Sequence, residues 1–400
     1  MPRLSASRVW ALVTTVLAVG APQLRAQTPP PPPPPEEVGG PTDNARPTPP
    51  PPTTTAPAGH YLLLPDISLN GIFRGHLSSD KRDQNREKLR LEEAELGIQS
   101  FVYPEIKLDT FIVFDGLGGV AVEEGYLTFQ KLAVLKQTLS AVVGRRKVPF
   151  GRVNQLHPHS WLYDVQPYVL TNLVAPESLT GDGAYLSYLL PTGKIFTQLE
   201  TGFFSLSVPP DALAANPEPT TQIVESPGAG FADKFVTARL LTAIEALGGS
   251  VELGGSYAGG RGQGYALDSE RSVRPDVRLS GLDLTYRHAG AGSSRLLLRG
   301  EYVRHQQTDG DFHHTADGWY VLADQRLDAF TSVALRYDTS AFPYAPGHER
   351  GVSLIATHQL TEQTYTRLQL IHGSRPGASN VNEIHLGLVW GVGPHTHNLE

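Results

Sequence analysis

Cysteine is absent from the 400 residues, and methionine occurs once, at position 1. Without a thiol there is no disulfide, no thiolate nucleophile and no cysteine-ligated zinc or iron–sulfur centre. Charge is sparse: 18% of residues are Asp, Glu, Lys or Arg, and the formal net charge is −7. The chain therefore lacks the basic face that phosphate contacts require, and nucleic acid is not an expected partner. From Tyr61 onward there is no run of about twenty apolar residues, the length a helix needs to cross a bilayer. A Gly-x-Ser-x-Gly elbow is also missing. Asn154, His159 and Ser160 are available to a hydrolase, but adjacency in sequence is not a triad, so neither an enzyme nor a cofactor is expected.

What is abundant is proline and glycine, 33 and 40 residues respectively. Arg3 and Arg8 precede an apolar stretch at 9–21, and Ala26 is a small residue suited to the position before a cut. This pattern reads as a secretory signal peptide at 1–26, too short to span a membrane as a helix. Its removal takes away three arginines and no acid, leaving a mildly acidic exported chain. Residues 27–59, with prolines at 29–35 and again at 47 and 49–52, cannot bury apolar area and favour extended polyproline II. They read as a disordered, solvated spacer.

Beyond residue 60 the recurring pattern is period-two alternation, the mark of strands with two unlike faces. Leu282, Leu284 and Tyr286 alternate with Asp283, Thr285 and Arg287; Leu296, Leu298 and Tyr302 oppose Arg295, Arg299 and Glu301. Sixteen such segments are found, near 67–76, 90–102, 105–115, 122–130, 137–148, 183–190, 194–207, 232–242, 249–257, 277–288, 294–305, 318–326, 330–337, 350–359, 364–372 and 382–391. The connections between them alternate. Short ones fall at 103–104, 132–136, 191–193, 246–248, 289–292, 327–329 and 361–363. Long ones fall at 77–89, 149–182, 208–231, 258–276, 306–317, 338–349 and 373–381, with a weaker one at 116–121.

An even strand number with sorted turns points to an all-β, transmembrane antiparallel barrel of the bacterial outer membrane, spanning 60–391, with a tail at 392–400. A bilayer imposes this closure because unpaired backbone groups are intolerable in hydrocarbon. Outer-membrane lipid is then its surroundings and the barrel-assembly machinery a partner. The interior of such a barrel is too wide for its own side chains to fill and is expected to hold water. Trp390 stands where a terminal aromatic often assists assembly.

The long connection at 149–182 exceeds the usual loop of about 4–6 residues. It carries Phe150, Trp161, Tyr163 and Tyr168, enough apolar surface to be ordered. Around it, Gly144-Arg145-Arg146-Lys147-Val148-Pro149-Phe150-Gly151, then Asn154, His157 and His159, then Gly183 and Tyr188-Leu189-Leu190-Pro191, resemble the phosphate-selective porin family of sixteen-stranded outer-membrane porins. Residues 91–115 and Glu123-Glu124-Gly125-Tyr126-Leu127 resemble that family's paired strands and acidic-aromatic strand. The likeness covers about 60–391, with the specific motifs confined to 90–205. It implies that loop 149–182 folds into the barrel and narrows the pore, with Phe150, Asn154, His157, His159 and Trp161 at the constriction, and that the assembly is a homo-trimer. The family's lysine-dense phosphate ladder is missing, since only Lys147 and Lys194 lie near the motif, so phosphate selectivity is not carried over.

On the polar faces stand Arg145, Arg239, Arg287, Arg295, Arg299, Arg326, Arg336 and Arg367, against Asp283, Glu301, Asp324 and Asp338. Rings of arginine in a pore raise the local potential and favour anions; equally, the same arginines can pair with the acids and tie the wall together. His157-Pro158-His159, His313-His314 and His395-Thr396-His397 are candidate metal ligands. No cysteine or regularly spaced carboxylate accompanies them, and loop histidines bonded to backbone or water are the commoner case. No metal is therefore expected, His157 and His159 being the best candidates should one bind. The resulting expectation is a porin passing small hydrophilic solutes by passive diffusion, leaning to anions. The alternatives are a plugged structural or adhesive barrel and a metal-responsive outer-membrane receptor or transporter. A TonB-type receptor is excluded by the lack of a folded N-terminal plug and by a strand number well below about twenty-two.

Overall fold

In the computed structural model the alternating segments are strands: β1 (Asp66–Ser78), β2 (Lys88–Tyr103), β3 (Ile106–Asp115), β4 (Val120–Phe129), β5 (Leu139–Lys147), β6 (Thr180–Leu189), β7 (Phe196–Leu206), β8 (Phe231–Ala246), β9 (Gly249–Gly262), β12 (Asp276–Ala289), β13 (Arg295–Asp309), β14 (Phe312–Arg326), β15 (Thr331–Ala341), β16 (His348–Gln359), β17 (Tyr365–Arg375) and β18 (Ala378–Val392). A two-stranded ribbon, β10 (Tyr265–Ala266) with β11 (Ser272–Val273), decorates the connection between β9 and β12. The structure describes residues 65–132, 139–193, 195–206, 228–266 and 272–394. The expected signal peptide and Pro-rich linker, Lys194 and the pair His395 and His397 lie outside them.

Among the described residues, sixteen strands close into one antiparallel barrel in which each strand pairs with its sequence neighbours and β1 pairs with β18 across the seam. No described helix is long and apolar enough to cross a membrane. The outward face explains how the strands can do so instead. Along β12, Leu282 is 64% exposed and Leu284 43%, while Leu279, Asp283 and Thr285 on the opposite face are buried. Phe203, Val236, Leu240, Leu253, Val321 and Leu335 continue this exposed apolar surface around the wall. Soluble monomers seldom expose contiguous apolar patches above a few hundred Å², so the belt is a lipid-facing surface. Near its short-turn edge, Trp390 of β18 lies over Gly71 of β1, where a Cβ would come within 2.3 Å of the indole ring. Only glycine leaves room for that aromatic cover.

The buried apolar cluster is inside the barrel, and the chain between β5 and β6 supplies much of it. Phe150, Val153, Leu156, Trp161, Tyr163, Val169, Leu170, Leu173 and Val174 pack against inward residues of the wall such as Phe204, Phe235, Leu279, Tyr320 and Ile355. This segment winds through two 3₁₀ turns, Val153–Gln155 and Pro158–Ser160, and one short helix, α1 (Tyr168–Leu173). A lumen too wide for its own side chains is thus filled in large part by folded chain, where the sequence suggested mainly water.

Two connections expected to be long are tight. β13 and β14 continue to Asp309 and Phe312, and β17 and β18 to Arg375 and Ala378. At 306–317 and 373–381 only the turns 310–311 and 376–377 remain. Strands that project beyond the apolar belt need no apolar face, so these polar stretches lose the alternation that marks a strand in the sequence.

Candidate functional site

The inward segment leaves the wall at Pro149-Phe150-Gly151. Gly151 has φ of +63°, and a Cβ there would sit 2.3 Å from Glu301 Oε2. Glycine is required on both counts. From this corner the backbone N–H of Gly151 donates to Ser256 Oγ at 3.0 Å, and those of Arg152 and Val153 donate to the Glu301 carboxylate at 3.3 and 2.9 Å. Asn154 ties departure to return: its amide donates to the carbonyls of Val148 and Leu179 at 2.9 and 3.1 Å, and its oxygen accepts from Leu179 N–H at 2.6 Å.

His157 is then held against β2 and β4. One ring nitrogen lies 2.6 Å from Glu95 and 3.2 Å from Glu123, and the other 2.8 Å from Glu124. Lys147 completes the group, its Nζ 2.8 Å from Glu123 and donating to the Leu156 carbonyl at 3.3 Å. Burial and the Lys147 ammonium both disfavour charge on this imidazole, but the carboxylates of Glu95 and Glu123 outweigh them, so its pKa stands well above the ordinary value. The cluster is an ionic lock in which an imidazolium, an ammonium and the Arg146 guanidinium, 4.0 Å from Glu124, balance three carboxylates.

The rest of the segment is stapled to the opposite wall. Tyr365 Oη donates to the His159 carbonyl at 2.5 Å, Arg367 to that of Tyr163 at 2.9 Å, and Arg336 to that of Val165 at 2.6 Å. Gln369 accepts from the N–H groups of Asp164 and Val165, Asp338 from Tyr168, and Glu349 from the Asn172 amide. The chain is therefore held from both sides of the lumen. Burying so many backbone groups is tolerable because each named one has a partner.

Of the candidate residues, Phe150, Asn154, His157, His159 and Trp161 all lie on this segment and are buried. His157 and His159 stack with ring centroids 5.5 Å apart. The ligand-like group that forms around His157 includes Glu95 and Glu123 but not His159.

The arginines divide. Arg145, expected in the lumen, instead shares the outward face with Val143 and pairs with its cross-strand neighbour Asp182 at 2.7 Å; the inward side chain is Arg146, over the rings of Tyr126 and Tyr185. Arg239 pairs with Asp283 at 2.6 Å, Arg287 with Glu252 at 2.6 Å and Arg336 with Asp338 at 3.0 Å, while Arg299 donates to Thr285 at 3.3 Å. These four brace wall and loop. Arg295, Arg326 and Arg367 line a cavity of about 900 Å³ at the short-turn end, together with Asp324 and Glu362.

A second cavity of about 240 Å³ opens at the long-loop end and has a different lining: Asp83, Glu92, Glu93, Asp164 and Glu177 with Arg74, Lys88, Arg90, His76 and His385. Trp161 lines both cavities, flanked by Pro158 on one side and by His159, Ser160 and Leu162 on the other. Residues of the stretch 158–162 thus border the cavities at both ends of the barrel. Arg74 and His76 are not among the residues the sequence singled out, although they stand on the inward parity of β1 with Ser68, Asn70 and Ile72.

No family model matches the chain. A protein of Aquifex aeolicus (strain VF5), described only as uncharacterized, is 25% identical over 283 residues, which cover 69% of this chain. The match spans 57% of that relative's length. Among solved structures, OprB of Pseudomonas putida at high pH superposes with a TM-score of 0.54 at 12% identity, over 82% of this chain and 94% of that one. A loop L8 deletion mutant of OmpT, an outer membrane protein of Vibrio cholerae, gives 0.53 at 12% identity over 82% and 99%. An anion-selective porin from Comamonas acidovorans gives 0.52 at 12% identity over 82% and 100%. With the lipid-facing belt, these likenesses make the fold that of the bacterial outer-membrane porins, a closed sixteen-stranded barrel.

Proposed function

We propose that this chain is an outer-membrane porin through which small hydrophilic solutes diffuse passively, with a preference for anions and with loop 149–182 setting the bore. The observation that carries the reading is a pair of cavities with charged residues in their lining, one at each end of the barrel, both bordered by Trp161 of the inward-folded loop, so that 158–162 is read as the partition between them. Arg295, Arg326 and Arg367 around the larger cavity support the anion preference, since three guanidinium groups there face two carboxylates and fixed cations in a low-dielectric wall raise the potential for anions. Phosphate selectivity is not part of the proposal, the lysine ladder that would serve it being missing. The chain performs no catalysis in this reading. Export by a signal peptide at 1–26, a Pro-rich spacer at 27–59, insertion by the barrel-assembly machinery and assembly as a homo-trimer complete it.

A second reading is favoured by the apolar packing of the loop against the wall: a plugged barrel with a structural or adhesive role. Planar-bilayer recordings separate the two. A porin gives stable open-channel steps and a reversal potential displaced toward that of the anion in a salt gradient, whereas a plugged barrel gives no stable open state.

A further inference from the structure

We infer that the seam of the barrel carries a binding site for a divalent transition-metal ion, formed by His76 of β1 with Glu383 and His385 of β18 and with Asp83 of the adjoining loop in reach. His76 and His385 are directly cross-strand, at the one place where the first and last strands pair. Their rings stack with centroids 4.2 Å apart. One ligand atom each from His76, Glu383 and His385 lies within 4.8 Å of the others, and Asp83 Oδ2 is 3.3 Å from His76 Nε2. A tetrahedral ion with nitrogen ligands at about 2.0–2.1 Å holds its ligand atoms about 3.3 Å apart, so small side-chain rotations close the site.

Three features point to a ligand here. His385 is 5% exposed, yet its Nδ1 makes no hydrogen bond, and His76 Nε2 makes none either despite its nearness to Asp83. Buried imidazole nitrogens without partners are costly, and an ion would satisfy them. Both histidines line the carboxylate-rich cavity at the long-loop end, which gives a cation an attractive approach. Carboxylates are also at hand: Asp83 and one oxygen of Glu383 face the histidines, while Arg375 takes the other oxygen of Glu383 and shares Asp80 with Arg82. Two imidazoles with carboxylates suit Zn²⁺, Ni²⁺ or Cu²⁺ rather than Mg²⁺ or Ca²⁺.

The cluster around His157 is a weaker host although it too brings His and Glu together. There Lys147 already supplies a fixed cation 2.8 Å from Glu123. At the seam the Arg375 guanidinium holds only Oε1 of Glu383, leaving Oε2, 3.4 Å from His385 Nε2, to face the histidines.

Zinc chloride titrated calorimetrically into the full chain, refolded in detergent, tests the site. The expected result is one saturable site per chain that weakens about tenfold or more in His76→Ala and in His385→Ala and persists in His157→Asn and in the double variant His313→Ala, His314→Ala. Should His385→Ala fail to fold, His76→Gln and Glu383→Gln carry the test, read by the visible absorption of bound Co²⁺, which is expected in the wild type and lost in both. A wild type without saturable uptake overturns the inference. So does undiminished affinity in His76→Ala, or a loss confined to His157→Asn, which would place the ion in the other cluster.

Discussion

The two ends of the lumen are built from the same kind of strand and yet present opposite chemistry. At the short-turn end Arg295, Arg326 and Arg367 outnumber the acids around a cavity of about 900 Å³. At the long-loop end five carboxylates outnumber the three basic side chains Arg74, Lys88 and Arg90 and stand with two histidines around a cavity of about 240 Å³. Between them stands Trp161, held by ion pairs on one side and by arginine-to-carbonyl bonds on the other. The contrast teaches that the inward arginines are not one ladder. Arg336 and Arg367 hold carbonyls of the loop and Arg239, Arg287 and Arg299 tie the wall, whereas Arg295 and Arg326 stand at the short-turn cavity without bonding the loop.

Charge reversal at the short-turn end breaks the comparison most severely. Arg295→Glu with Arg326→Glu makes both ends acidic, and the reversal potential in a salt gradient is expected to change sign toward cations. Arg145→Glu, on the outward face, is expected to leave it unmoved; a shift there of similar size would mean that the arginine cavity does not govern selectivity.

Removing a brace is next in size. Arg336→Leu strands the buried Asp338 and frees the Val165 carbonyl, and loss of one partner of a buried pair costs about 3–5 kcal/mol. Denaturant unfolding in detergent should show that loss, while Arg326→Leu, whose side chain is exposed on turn carbonyls, should change stability far less. Equal losses would deny the division between braces and lining.

The smallest effect expected is that of pH on the lock. His157 has a pKa above its unfolded value of about 6.5, so its contribution is complete below that value and falls away as pH rises through the raised folded one. The groups that face it are Glu95, Glu123, Glu124, Lys147 and His159. Conductance is expected to stay flat from pH 6.5 through neutrality and to rise in the alkaline range; His157→Gln should remove that step. A step below pH 6.5 in both proteins would point to the carboxylates instead.

The wall was largely legible because a membrane imposes period two: Leu282, Asp283 and Leu284 announce their faces in order. The same rule failed where the bilayer no longer constrains the strand, so β13 and β14 were cut short at their polar ends. Arg145 was assigned to the wrong face because Val142-Val143 breaks the polar-apolar alternation that would have fixed its parity. The loop's length and aromatic content marked it as ordered. Its anchors were not legible, since Val153 meets Glu301 across 148 positions of sequence and His76 meets His385 only because the barrel closes.

Single-channel conductance tests the proposed partition at Trp161 most directly. The wild type is compared with a variant in which residues 157–166 are replaced by a short Gly-Ser linker, both confirmed as folded barrels by circular dichroism. The expected result is a several-fold rise in conductance as the two cavities become one. Unchanged conductance in the folded variant would contradict it and place the bore elsewhere than at Trp161.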